Sequence, residues 1–391
     1  MEKVKLGDVC RVQGGYAFKS NEFTVNNVPV IRIGNIQDKK VNIDTNICYK
    51  EEFLLQHPEF KVEYGDILIA MSGATVGKVG KYLENNSALL NQRVGKFINS
   101  EKIDKDYLYF LLQSPLFEKF ILNNAFGCAQ PNISNKKIEE FSFYNYSIKE
   151  QNEITSKLNK VQEIIDIRKK QIEEMEQLVK SQFSKVFENC KCEKILVRDA
   201  IKKNYIEKPL DGNHGNKHPK SSDYVESGVP FLMANNIENG YVDLVNCNFI
   251  TKEQANSLDK GFAKDNDVLI THKGTIGRTA ILYTDYEYVM LTPQITYYRA
   301  NNEYLLPEYL KAYFDSTRFQ TVMKKIAGSG STRAYIGITE QQNLELNIPS
   351  IELQNQFSEF VKLIDKQKFE IQKSLREMEK LQESLMNKYF G

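Results

Sequence analysis

The sequence predicts an α+β fold written twice: two tandem repeated globular domains separated by two long helices, which form an antiparallel intramolecular coiled coil with pseudo-twofold symmetry. Three observations lead there. The first is an internal repeat in a chain of 391 residues. Val28-Pro29-Val30-Ile31-Arg32-Ile33-Gly34-Asn35-Ile36 returns 201 positions later as Val229-Pro230-Phe231-Leu232-Met233-Ala234-Asn235-Asn236-Ile237, and Gly65-Asp66-Ile67-Leu68-Ile69 returns in the same register as Asn266-Asp267-Val268-Leu269-Ile270. The second is a heptad stretch closing each copy, with Glu174-Met175-Glu176-Gln177-Leu178 echoed by Glu377-Met378-Glu379-Lys380-Leu381. The third is a mixture of short strand-like and helix-like runs inside each copy.

Taken in order, residues 29–36, 66–71, 267–271 and 291–299 are short and rich in β-branched and aromatic side chains, which suits strands. Residues 106–122 and 307–326 are amphipathic at helical spacing, and a Tyr-Leu pair opens both, Tyr107-Leu108 and Tyr309-Leu310. The expected divisions are 1–148, 149–189, 190–351 and 352–391. In the first long helix Leu158, Val161, Ile165, Ile172, Met175 and Val179 follow the alternating three-and-four spacing of a coiled-coil seam. Val361, Ile364, Ile371, Leu375, Met378 and Leu385 do so in the second. Arg168, Gln182, Lys368 and Gln382 are the polar intrusions. Without Pro or Gly in the seam, about 35 to 40 residues at ~1.5 Å each make rods of roughly 55 Å. An amphipathic rod needs a partner, and the matched registers point to the other copy, antiparallel, with a globular unit at each end. Pairing of each helix with another protein is the alternative.

Composition narrows the function. The chain is 41% hydrophobic and 26% charged with a net charge of +1, an ordinary soluble balance that excludes a uniformly basic coat; any nucleic-acid surface must be local. The first residues, Met1 to Asp8, lack the apolar core of a secretory signal, and no apolar run approaches membrane-spanning length, so a cytoplasmic location is expected. The six cysteines are scattered, and Cys190-Lys191-Cys192 lacks a second pair at zinc-site spacing. Reduced thiols follow. His214 and His218 stand in a polar Gly/Asn/Pro loop without further ligands, so no metal is expected.

Catalytic signatures are weak. Gly73-Ala74-Thr75-Val76-Gly77-Lys78-Val79 has three residues between its glycines where a phosphate loop needs four, and Val where the magnesium-binding hydroxyl belongs. Ile326-Ala327-Gly328-Ser329-Gly330 follows a helix-like segment, whereas a glycine nucleotide turn follows a strand. No Pro-Pro of the amino-methyltransferase motif occurs, nor a Pro-Asp of restriction-nuclease cores, and four histidines form no nucleophilic grouping.

Both copies do carry a pattern suited to DNA. A small-residue turn with a cation follows each hydrophobic strand: Ser72, Thr75 and Lys78 in one, Lys273, Thr275 and Arg278 in the other. Glycine lets backbone amides approach an anion, and the cation neutralises phosphate. Gln92 and Gln294 offer amides able to read adenine edges. Gln130 and Arg333 each stand three before an aligned Ile, with Tyr335 beside the latter. Ordinary hairpin architecture accounts equally for the glycines alone, and single cations such as Lys19, Arg32, Lys217 and Lys220 fit a solvated surface.

With these residues in place, the chain resembles the specificity subunits of type I restriction-modification systems over essentially its whole length. The Val-Pro strand, Gly65-Asp66-Ile67-Leu68, the stretch from Gly328 to Arg333, and Ile348-Pro349-Ser350-Ile351-Glu352-Leu353-Gln354 carry the resemblance. Departures fall in the first copy, at Gly127-Cys128-Ala129-Gln130-Pro131 and Tyr144-Asn145-Tyr146. The resemblance implies a non-catalytic, DNA-binding subunit whose two target recognition domains each read half of a split, asymmetric site, while the helices set spacing and dock methyltransferase subunits, two of them. Restriction/translocase subunits would join these, and S-adenosylmethionine, ATP and magnesium would be used by the partners, none by this chain. Half-sites about one turn (~34 Å) apart would suit two such readers. Arg278→Ala is expected to weaken DNA binding at low salt, and Cys192→Ala to leave it unchanged. A coiled-coil scaffold that never touches DNA, and a self-contained methyltransferase or nuclease, are the competing classes. Lys and Arg clustered on one concave face of each domain would argue against the first, and S-adenosylmethionine binding by the isolated chain would favour the second.

Overall fold

In the computed structural model, which describes residues 2–125, 131–188, 190–215, 218–328 and 335–391, the chain forms two compact units. One contains residues 1–168 and 374–391, the other 169–373.

The first unit is built on two small sheets. Strand Val94–Asn99 lies antiparallel between Cys10–Gly14 and Ile67–Ala70, and Ile67–Ala70 carries Val79–Lys81 on its other side. In the second sheet Ala88–Leu90 runs parallel to Val28–Ile31 and antiparallel to Lys61–Val62. Glu2–Lys5 pairs with Ser142–Asn145, tying the start of the domain to the segment that enters the long helix. The second unit repeats these pairings. Ile295–Tyr298 lies between Leu210–Asp211 and Val268–Thr271, Val289–Leu291 runs parallel to Val229–Leu232, and Glu193–Leu196 pairs with Glu345–Ile348.

The repeated hydrophobic motif is a strand covered on both faces. Ile67 and Ile69 enter one core while Leu68 and Ala70 enter another; Val268 and Ile270 are likewise separated from Leu269. Two-sided burial is why these runs are apolar without alternation. The Asp before each run is turn chemistry. Asp66 accepts from the Glu63 amide at 2.9 Å and Asp267 from the Lys264 amide at 2.7 Å, with Gly65 and Asn266 in the left-handed region (φ 86° and 67°). Asp267 is fully buried, and Arg299 grips both its oxygens at 2.8 Å.

Several elements are shorter than their sequence patterns suggest, each for a local reason. The run at 29–36 is strand Val28–Ile31 followed by a tight turn, because the Asn35 side chain accepts from the Arg32 amide at 2.8 Å; Asn236 does the same for Met233 at 2.9 Å. The run at 291–299 is divided between Val289–Leu291 and Ile295–Tyr298. Both amphipathic helices are pairs: Lys105–Leu111 with Pro115–Ala125, and Pro307–Asp315 with Thr317–Ala327. A serine hydroxyl starts each second member, Ser114 accepting from Phe117 and Ser316 from Phe319.

The long helices are Ile148–Phe187 and Ile351–Phe390, 40 residues each, and each unit contains one stretch of both. In the first unit Ile154 and Leu158 share a core with Leu385, Met386, Tyr389 and Phe390. In the second, Phe183 and Phe187 close around Phe357, at ring separations of 5.7 and 5.3 Å. Early residues of one helix meet late residues of the other in both units, so the pairing within each is antiparallel. Leu158, Val161, Ile165, Val361 and Ile364 are buried, and Ile172, Met175, Val179, Ile371, Leu375, Met378 and Leu385 half-buried. Two polar intrusions are matched: Gln382 donates to Gln162 at 2.7 Å, and buried Lys368 pairs with Glu176 while lying over the Tyr241 ring. A polar pair in an apolar seam tolerates few other registers. Among the described residues no helix is long and apolar enough to cross a membrane.

Candidate nucleic-acid interface

In each domain the same three backbone links sew together segments far apart in sequence. In the first, the Met71 amide donates to the Arg93 carbonyl at 2.9 Å, the Ile133 amide donates to the Met71 carbonyl at 2.9 Å, and Ser72 bridges Asn132. In the second, the His272 amide donates to the Gln294 carbonyl at 2.9 Å, the Ile336 amide to the His272 carbonyl at 3.0 Å, and Lys273 bridges Tyr335. One scaffold therefore presents two different sets of side chains. Ser72, Arg93 and Asn132 occupy the places of Lys273, Gln294 and Tyr335.

The first edge surrounds a cleft of about 350 Å³ lined by Met71, Ser72, Gln92, Arg93, Pro131 and Asn132. Ser72 is 5% exposed and its hydroxyl has no hydrogen-bond partner among the described residues, whereas Gln92, Arg93 and Lys78 are exposed. Thr75 is half-buried, its hydroxyl donating to the Ile33 carbonyl at 3.4 Å. Gln130 lies outside the described residues. Across the second edge Lys273, Thr275, Arg278 and Tyr335 are exposed. Gln294 is half-buried, and its side-chain oxygen accepts from the Ala234 amide at 3.4 Å. The Arg278 guanidinium donates to the Ile237 carbonyl at 3.3 Å and lines a second cleft, of about 520 Å³, with Glu238, Lys311, Asp315 and Lys368. Arg333 lies outside the described residues.

The structure thus brings Ser72 and Gln92 together, and Lys273 with Tyr335, while placing Arg278 toward the other cleft. Sequence reasoning missed Arg93 and Asn132. The signal was available: at the repeat offset of 201 Arg93 aligns with Gln294, and at the offset of 203 that aligns Ile133 with Ile336, Asn132 aligns with Tyr335. Gln92, for all its likeness to Gln294, takes the place of Pro293.

The glycines of the turns have a different use from the one their spacing suggests. The Gly77 and Gly277 amides donate at 2.8 Å to the Ala70 and Thr271 carbonyls, and the Gly73 amide donates to Pro131 at 2.9 Å, so these amides are already occupied. Both Gly77 and Gly277 have φ 85°, and a Cβ at either would collide with the helix behind, 2.7 Å from Ile121 or 2.3 Å from Gln320. Anion neutralisation therefore falls to the exposed cations rather than to these amides.

Under the second edge lies a polar cluster that has no counterpart among the described residues of the first. Asp211, 1% exposed, pairs with Lys260 and with His214 at 2.7 Å. Burial alone would raise its carboxyl, but the hydrogen bonds from Lys260 and His214 together outweigh it and hold the carboxyl below the ordinary value. His272 is fully buried, and burial pushes its imidazole below the ordinary value against the Ile336 carbonyl and Asp211. Among the described residues no group of three or more His, Cys, Asp or Glu is arranged to hold a metal. Each edge offers hydrogen-bond donors, acceptors and cations from separate segments, an arrangement for reading a polar polyanion.

Comparison with known proteins fits this geometry. Residues 1–177 and 210–380 match the type I restriction modification DNA specificity domain, once in each half. A specificity subunit of the type I restriction enzyme MjaVIII from Methanocaldococcus jannaschii is 33% identical over 184 residues, 46% of this chain and 43% of that one, so the match spans less than half of that relative. The EcoBI specificity subunit of Escherichia coli is 23% identical over 417 residues, covering 99% of this chain and 85% of the relative. Among solved structures, the type I restriction-modification S subunit from M. genitalium shares the fold with a TM-score of 0.59 at 15% identity, over 100% of this chain and 96% of that one. A family match in both halves, on a fold repeated strand for strand, means that the chain belongs to the type I restriction modification DNA specificity family.

Proposed function

We propose that this protein is the DNA-sequence-recognition subunit of a type I restriction-modification complex, each domain reading one half of a bipartite, asymmetric site. One observation carries the reading: an identical backbone scaffold presents Ser72, Arg93 and Asn132 in one domain, and Lys273, Gln294 and Tyr335 in the other. Readers with different side chains at equivalent places select different bases. The chain itself is non-catalytic in this reading. Two methyltransferase subunits dock on it and use S-adenosylmethionine, and restriction/translocase subunits use ATP and magnesium. The paired helices fix the distance between half-sites, and their polar layers, Gln162–Gln382 and Glu176–Lys368, fix the register on which that distance depends. The complex works on double-stranded DNA in the cytoplasm.

The test is to map methylated adenines in a host carrying the complete system, first with this chain and then with Arg93→Ala plus Asn132→Ala. The expected outcome is relaxed or altered sequence at one half-site and an unchanged second half. Identical methylation patterns would remove the first edge from base reading.

A further inference from the structure

The His272 ring is anchored through one of its two nitrogens. Its Nδ1 lies 2.9 Å from the Ile336 carbonyl, which can only accept, so Nδ1 carries the hydrogen. Neutral His272 then has a lone pair on Nε2. Among the described residues that buried atom has no hydrogen-bond partner, and the Asp211 carboxylate lies 4.0 Å from it. A lone pair facing a carboxylate inside a protein is an unfavourable arrangement that one proton reverses, because a charged Nε2–H is attracted to the Asp211 carboxylate across the 4.0 Å that separates them.

The position of this pair is as telling as its chemistry. His272 is the residue whose own backbone joins the segments at 294 and 336, and it immediately precedes exposed Lys273, which bridges Tyr335. Tyr335 also lies against the imidazole, with ring centroids 5.6 Å apart. The first domain has Met71 at the place of His272, and Gly14, paired with Gly95, at the place of Asp211, paired with Thr296. Its edge is sewn by the same backbone bonds without any titratable group in the middle.

We infer that Asp211 and His272 are positioning residues for the DNA-facing edge of the second domain, holding Lys273 and Tyr335 in place, and that uptake of one proton by His272 tightens this edge when DNA binds. The inference rests on the proposed DNA-reading role of that edge. Duplex DNA adds negative potential above the ring, which favours the imidazolium, and by linkage the proton favours DNA in return. The charged and titratable groups around His272 are Asp211 from the strand below, His214 and Lys260 bound to that carboxylate, and Lys273 and Tyr335 above. His214 and Lys273 oppose protonation and Asp211 supports it. In the free protein burial keeps the ring neutral at pH 7.

The experiment measures binding of the assembled complex to a duplex carrying its methylated site, from pH 7.5 to 5.8, for the wild type, His272→Met, Asp211→Asn and Lys273→Ala. His272→Met installs the side chain that the first domain uses. The wild type is expected to gain about fivefold more affinity than His272→Met as pH falls, with Asp211→Asn equally flat. A His272→Met profile that tracks the wild type overturns the inference, because a residue that only fills space would leave the pH dependence untouched. Lys273→Ala separates the two readings. If it leaves affinity unchanged at every pH, the placement of this edge on DNA fails and the inference falls with it; if it weakens binding while the pH profiles coincide, only the role of His272 is lost.

Discussion

Lys273→Ala is the sharpest probe of the second edge. Lys273 is exposed at the start of the turn, its backbone is bridged to Tyr335, and its side chain extends from a residue whose preceding neighbour, His272, is anchored by backbone hydrogen bonds. Truncation at Cβ therefore removes a charge and little packing. If the ammonium neutralises one phosphate, its loss lowers the slope of log affinity against log salt by about 0.9. Over a fourfold rise in salt, from about 50 to 200 mM, that difference amounts to about 3.5-fold: the wild type loses that much more affinity than the variant. The loss is expected to be uniform across DNA sequences, since a phosphate contact positions without specifying. Fluorescence anisotropy of the assembled complex on labelled duplexes, at four or five salt concentrations, reads both quantities. Arg278→Ala provides an internal comparison: its guanidinium already donates to the Ile237 carbonyl, so a smaller change in slope is expected. Parallel lines for wild type and Lys273→Ala would refute the reasoning and move the phosphate path elsewhere.

Further outcomes follow from the packing. Arg299→Ala leaves the fully buried Asp267 carboxylate without its bidentate partner and is expected to cost about 3–5 kcal/mol, read as faster hydrogen exchange in strand Val268–Thr271. Phe357→Ala opens a cavity among Phe183, Phe187 and Tyr309 and should cost about 3–5 kcal/mol, measured by exchange in the helix around Phe183. Gly277→Ala must hold φ 85° and displace Gln320, so it should destabilise by clearly more than Gly274→Ala, where φ is 78° and the space is open; the backbone alone costs about 1–2 kcal/mol in each. Equal unfolding free energies for the two glycine variants would show that the contact with Gln320 carries no weight.

The sequence by itself determined the duplicated architecture and the helical seam, because both are periodic. An offset of 201 between matching strand motifs, and an alternating three-and-four spacing from Leu158 to Val179, survive any uncertainty about what touches what. It also marked the turns beside the strands as places of interest. What only the tertiary structure decided is how segments distant along the chain converge. Arg93 and Asn132 join Ser72 through backbone bonds from Met71 that leave no mark on local composition. The glycines at 77 and 277 answer to Ile121 and Gln320 on the helix behind rather than to an anion. Arg278 and Lys273 look alike in sequence, yet one faces a carbonyl beside the cleft against the helix and the other solvent. Phe183, Phe187 and Phe357 form the aromatic core of the second helix pairing although none was assigned to the seam, since a domain residue, Tyr309, packs into it. The Asp211–His272 approach joins positions 61 residues apart, and the burial of His272 Nε2, which has no hydrogen-bond partner among the described residues, follows from the fold alone. Periodicity is a property of neighbours along the chain and can be read directly. Burial, pairing and charge are properties of neighbours in space, and they take their values only when the chain has closed on itself.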